Sequence, residues 1–127
     1  MTFLFSKRSE NNLLGVHPDL VKVVRRALEI SKVDFAVIEG LRSHARQLEL
    51  VRSGASQTMN SRHLTGHAVD LAPFIAGQIR WDWPPFHEIA KAVKQAAKEL
   101  DVAIVWGGDW KTFKDGPHFE LDRRKYP

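Results

Sequence analysis

The chain reads as one α+β domain, and three features of the sequence carry that reading. Its 127 residues amount to a single domain of ordinary size. Apolar residues recur at helical spacing in some stretches and alternate with polar residues in others. The alternating stretches are short and gather late in the chain, with no internal repeat and no low-complexity segment.

Residues 13–31 are predicted as a helix opened by His17-Pro18-Asp19, where proline suits the first helical position. Leu20, Val23, Val24, Ala27 and Leu28 then form one apolar face. Val33, Phe35 and Val37 alternate with Asp34 and Ala36, which predicts a strand running into Glu39-Gly40-Leu41-Arg42. A second helix is expected over residues 43–52, capped by Ser43, with Ala45, Leu48 and Val51 inward and Gly54 as its stop. Residues 53–61 are polar and read as loop. Residues 68–74 read as a buried strand ending at Pro73. A loop with Gly77, Trp81 and Trp83 then leads to Pro84-Pro85 and a strongly periodic helix. The inward face of that helix is Phe86, Ile89, Ala90, Val93, Ala97 and Leu100. Residues 102–106 make a short strand, 107–117 a loop and 118–121 a last strand.

Composition narrows the chemistry. Hydrophobic residues make up 43% and charged residues 27%, the proportions of a folded chain rather than a disordered tail. With no cysteine, the chain excludes disulfides, thiolate metal sites and cysteine nucleophiles, so any metal must be held by imidazole and carboxylate. A net charge of +4 and a pI near 9.6 favour anionic surroundings. The first residues place their apolar side chains before their charges, unlike a secretory signal, and no stretch is long and apolar enough to span a bilayer. The expectation is a protein made in a cytoplasm, with no membrane insertion.

Two compact clusters hold the residues of chemical interest. In Ser61-Arg62-His63-Leu64-Thr65-Gly66-His67-Ala68-Val69-Asp70, the loop residue His63 precedes a strand that contains Asp70. If Val69 and Leu71 enter the core, alternation turns Asp70 to the other face, where a carboxylate needs a cation, hydrogen bonds or a metal. In Asp115-Gly116-Pro117-His118-Phe119-Glu120-Leu121, the same logic buries Phe119 and Leu121 and leaves His118 and Glu120 on that other face. Two imidazoles and one carboxylate with an open fourth position describe a catalytic zinc site rather than a structural one. Asp115, three residues before His118, can reach the open position without being a ligand.

The pattern Ser61-x-His63-x-x-Gly66-x-Ala68-x-Asp70, followed by Asp115-Gly-Pro-His118-Phe119-Glu120, resembles the zinc D-Ala-D-Ala carboxypeptidase superfamily. Within it, the bacteriophage endolysin group of L-alanyl-D-glutamate peptidases is most similar. The likeness extends upstream through Val16-His17-Pro18-Asp19-Leu20, Gly40-Leu41-Arg42-Ser43, Arg46-Gln47 and Gly54-Ala55-Ser56. It implies a small antiparallel sheet with packed helices, a Hedgehog/DD-peptidase-like domain over residues 1–127 without a separate wall-binding module. It implies that His63, Asp70 and His118 bind one zinc ion, that Asp115 is the catalytic carboxylate, and that Arg42 binds substrate or stabilises the oxyanion. Many superfamily members carry glutamate where this chain has Asp115.

Plainer roles stand beside these. Ser61 and Gly66 suit a turn hydrogen bond and a permissive backbone position. His67, four residues after His63, reads as a rim residue because it enters a strand. Glu120 either orients a ligand or makes an edge salt bridge. Asp109 and Trp110 are expected in the site wall, Trp81 and Trp83 in core or rim packing, and Arg123-Arg124-Lys125 in a solvated tail. The expected function is a zinc endopeptidase acting on the L-Ala–D-Glu bond of the peptidoglycan stem peptide. The expected partners are that peptide, the anionic envelope and a holin-type release factor; the chain is expected to be monomeric and to bind no nucleic acid. It would act on the wall after release from the host cytoplasm. The rivals are a D-Ala-D-Ala carboxypeptidase or dipeptidase, and a non-catalytic basic module for nucleic acid or envelope polymer.

Overall fold

Val69 and Leu71 are fully buried among the helices while Asp70 faces the opposite side. The alternation of this one strand thus divides the molecule into a core and a site. The computed structural model describes residues 3–56 and 58–127. Its elements in chain order are α1 (Lys7–Asn12), α2 (Pro18–Ile30), β1 (Phe35–Glu39), α3 (His44–Arg52), a 3-10 turn (Arg62–Thr65), β2 (Ala68–Ile75), β3 (Gln78–Ile79), α4 (Trp83–Leu100), β4 (Ile104–Trp106), a second 3-10 turn (Gly107–Asp109) and β5 (His118–Leu121). The strands form an antiparallel sheet in the order β1-β2-β5-β4, with β3 paired to β2. The α+β class and the antiparallel sheet agree with expectation.

Helices α2 and α4 pack on one face of the sheet. Leu20, Val23, Val24 and Ala27 from α2 meet Ile89, Ala90 and Val93 from α4 over Phe35, Val69, Leu71 and Phe119. The side chains of valine, leucine, isoleucine or phenylalanine size each contribute about 1.5–3 kcal/mol when fully withdrawn from water. The open sheet face is left for polar chemistry.

Several local expectations need correction. The first long helix begins at Pro18 rather than at residue 13, because His17 caps it: its Nδ1 accepts from the Asp19 amide. Helix α1 has no counterpart among the elements that the sequence pattern predicts. It is short and polar, and it covers the outer edge of β1: Ser9 Oγ accepts from the Val37 amide, and Asn12 donates to the Val37 carbonyl. Strand β2 runs past Pro73 to Ile75 and turns through Ala76 and Gly77, both at positive φ, into β3. In α3 the inward residues are not Ala45, Leu48 and Val51; the helix lies along the site, and only Gln47 is fully buried. Leu100 is exposed at the end of α4.

Candidate active site

The strand register assembles the site. Asp70 pairs across β2–β5 with His118 and, beyond a bulge in β1, across β1–β2 with Glu39. His63 arrives from the 3-10 turn just before β2. Ser61 Oγ caps that turn by accepting from the His63 amide, and Gly66 closes it in the left-handed conformation. Gly40 is obligatory beside it: a Cβ there would collide with the Asn12 carbonyl, and the Gly40 carbonyl accepts from His63 Nδ1 at 2.9 Å.

His63 Nε2 lies 3.2 Å from Asp70 Oδ1, and His118 Nδ1 lies 3.6 Å from the same oxygen. One donor atom from each of the three residues falls within 4.8 Å of the others. Each imidazole is oriented through its second nitrogen, His63 by the Gly40 carbonyl and His118 by Glu120 Oε1 at 2.8 Å. That arrangement of an outer acceptor holding each ring is how metal-ligating histidines are fixed. The donor set, the convergence and the orienting partners all fit a metal ion, and Glu120 is the residue that holds the His118 ring.

Electrostatics follow from the same contacts. Burial alone would raise Asp70's pKa, yet hydrogen bonds from His118 and His63 and their charges outweigh it and hold the carboxyl far below its ordinary range. Burial would lower His118's pKa; Asp70 and Glu120 more than offset it, to about 9. Glu120 is desolvated too, and its hydrogen bond to His118 still brings it below the usual value. Asp115 goes the other way: burial, then the negative charge of Asp70, push it up.

Asp115 sits on a pinned loop. Its amide donates to the Gly107 carbonyl, its carbonyl accepts from the His118 amide, and Trp106 Nε1 holds the Gly116 carbonyl at 2.7 Å. A side chain on Gly107 would strike Asp115 and crowd His118. Arg42, 8% exposed, is gripped by both oxygens of Glu39 at 2.6 and 2.7 Å and by Gln47 Oε1 at 2.8 Å, with Nη2 3.5 Å from Asp70 Oδ2. Gln47 in turn donates to Ser56 Oγ and the Thr58 carbonyl, tying α3 to the rim.

These residues line a cleft of about 550 Å³ that holds His63, Asp70, His118, Asp115 and Arg42 together. Ser61, Trp110 and Glu120 also line it, with the Trp110 ring 5.1 Å from that of His118. Asp109 does not: it is exposed and pairs with Lys94 at 2.7 Å. His67 does not line the cleft either; its ring packs on His17 and its Nδ1 bonds Thr65 Oγ1. Trp81 and Trp83 pack near Phe86, away from the cleft lining. Sequence reasoning missed Glu39, Gln47, Arg62, Phe113 and Arg123, all but Gln47 in the cleft wall. Glu39 had a signal, an acid three residues before Arg42; Phe113, an exposed aromatic at positive φ, had none.

The phage L-alanyl-D-glutamate peptidase family model matches residues 1–125 of this chain. The L-alanyl-D-glutamate peptidase of Escherichia phage T5 is 42% identical over 99% of this chain and 94% of its own length. The Bacillus subtilis peptidoglycan L-alanyl-D-glutamate endopeptidase CwlK is 31% identical over 89% of this chain and 81% of that protein. The crystal structure of the Serratia marcescens L-Ala D-Glu endopeptidase ChiX superposes with a TM-score of 0.92 at 58% identity, covering 98% of this chain and 94% of that one. A match of this extent leaves no place for the non-catalytic binding module. The chain belongs to the phage L-alanyl-D-glutamate peptidase family.

Proposed function

We propose that the protein is a zinc-dependent endopeptidase that hydrolyses the L-Ala–D-Glu bond of the peptidoglycan stem peptide. The observation that carries this reading is the convergence of His63, Asp70 and His118 beside a half-buried Asp115 in one cleft. The likeness to L-alanyl-D-glutamate peptidases and endopeptidases supports the choice of bond. One zinc ion, held by those three ligands, would supply Lewis-acid polarisation of the scissile carbonyl and a lowered pKa for water at the site.

The chain's own residues do the rest. Asp115 takes the proton of the attacking water and returns it to the amine of the departing glutamate; its raised pKa makes it the better acceptor. Glu39 and Gln47 fix the Arg42 guanidinium, which faces the carbonyl oxygen as it gains charge. Trp110 and Ser61 shape the wall beside His118 and His63. The same reading takes residues 1–127 as one catalytic domain. It also has the protein act on the wall after a holin-type protein opens the host membrane, which the likeness to a phage enzyme supports.

Purified peptidoglycan digested with the zinc-loaded protein should yield new alanine carboxyl termini and glutamate amino termini by mass spectrometry. Release of terminal D-alanine alone would instead make the protein a carboxypeptidase.

A further inference from the structure

Three arginines face the cleft, and they differ in what engages their donors. Arg42 is enclosed by Glu39 and Gln47. Arg62 is 10% exposed; its Nη2 donates to the carbonyls of Leu121 and Tyr126, and its Nε is buried with no acceptor among the described residues. Arg123 is the contrast. Its side chain is 63% exposed, and its ion-pair contact among the described residues is Glu120 Oε2 at 3.8 Å, too long for a hydrogen bond. Arg62 Nε approaches that same oxygen, also at 3.8 Å. Two guanidiniums thus flank one carboxylate whose other oxygen is bonded to His118. This wall carries an excess of positive charge, and among the described residues nothing fills the fork of Arg123.

The backbone beneath Arg123 is held in place. Asp122 donates its amide to the Ala103 carbonyl, accepts from the Lys125 and Tyr126 amides, and binds the Arg124 amide and guanidinium with its carboxylate. Arg124 is therefore engaged outside the cleft. Of the basic run expected to be solvated tail, one member stands at the site.

We propose that Arg123 is a subsite for a substrate carboxylate, the free carboxylate of the glutamate at the scissile bond. This rests on the peptidase reading above. A glutamate joined through its amine and through one carboxyl group keeps the other carboxyl free. A guanidinium matches it with two parallel hydrogen bonds, which Glu120 cannot supply while it orients His118.

The test uses two synthetic stem peptides containing the L-alanyl-D-glutamate bond, identical except for a free carboxylate or a carboxamide on the glutamate. Each is titrated calorimetrically into the zinc-loaded Asp115→Asn chain, with and without Arg123→Gln. The acid peptide should bind about 10-fold more tightly than the amide at low salt. Arg123→Gln should abolish that preference and change affinity for the amide by less than about 2-fold. Lys125→Gln, an equal change in charge two residues on, should keep the preference. Equal affinity for both peptides, binding of neither, or a preference that survives Arg123→Gln overturns the proposal. Turnover of the acid peptide by the unmutated chain is measured alongside. An uncut bond with an Arg123-dependent preference sinks the peptidase reading and leaves the subsite standing; cleavage without a preference sinks the subsite alone.

Discussion

Asp70 meets Glu39 on one neighbouring strand and His118 on the other, while Arg42 approaches its second oxygen. Each candidate ligand has a different outer partner, so removing one should leave the other two oriented. Zinc stoichiometry, measured by elemental analysis after dialysis, should collapse in His63→Ala, Asp70→Ala and His118→Ala. Full occupancy in two of these variants would refute the ligand set. Asp115→Asn should keep the metal and the fold and lose turnover by a factor on the order of 10²–10⁴. Arg42→Ala should also keep the metal, with turnover down about 10²–10³-fold if its guanidinium meets the oxyanion. Because Arg42 also neutralises Glu39, the double variant with Glu39→Gln should lose less than the two single losses combined. Strict additivity would mean the two residues act separately.

Among elements, the segment after β5 is tied to the site more firmly than its charge suggests. Arg62, next to His63 in the first 3-10 turn, holds the Leu121 and Tyr126 carbonyls, and Tyr126 donates its hydroxyl to Asp19 on α2. Asp122 fastens this turn, and its hydrogen bonds to the Arg124 side chain and amide lower its pKa from 3.8 to about 2. A carboxyl depressed in the folded state contributes stability that is present above its unfolded pKa and is lost as pH falls through the folded one. The turn should therefore hold above about pH 4 and loosen between about pH 4 and pH 2. The Arg124 amide resonance should titrate with a midpoint near 2; a midpoint at the ordinary aspartate value would show the pairing to be absent in solution.

For the molecule as a whole, the helical layer supports the sheet from one side and the chemistry occupies the other. Ile89, fully buried on α4, touches the core and not the cleft lining. Ile89→Ala should cost about 2–5 kcal/mol in denaturant unfolding. Turnover per folded molecule should stay the same well below the unfolding transition. A selective loss of activity without a loss of stability would mean that the core and the site are coupled through the sheet.

Much of this was legible in the residues, because strand alternation is a local rule. Val69, Leu71, Phe119 and Leu121 mark the core side, which leaves Asp70, His118 and Glu120 on the other whatever the rest of the chain does. The apolar period of α2 and α4 is equally local. Helix α1 leaves no periodic mark because its six residues are all polar, and its purpose, covering the edge of β1, lies 25 or more residues away. The inward face of α3 departs from its apolar spacing because that helix packs along a polar cleft, where Gln47 rather than an aliphatic residue is the buried one. Asp109 and Arg123 exchanged their expected places for the same reason. An isolated charge carries no mark of its partner, and pairing is settled only when distant segments meet. Arg62 and the Tyr126 carbonyl it holds are 64 residues apart, and no periodicity along the chain encodes a contact of that span.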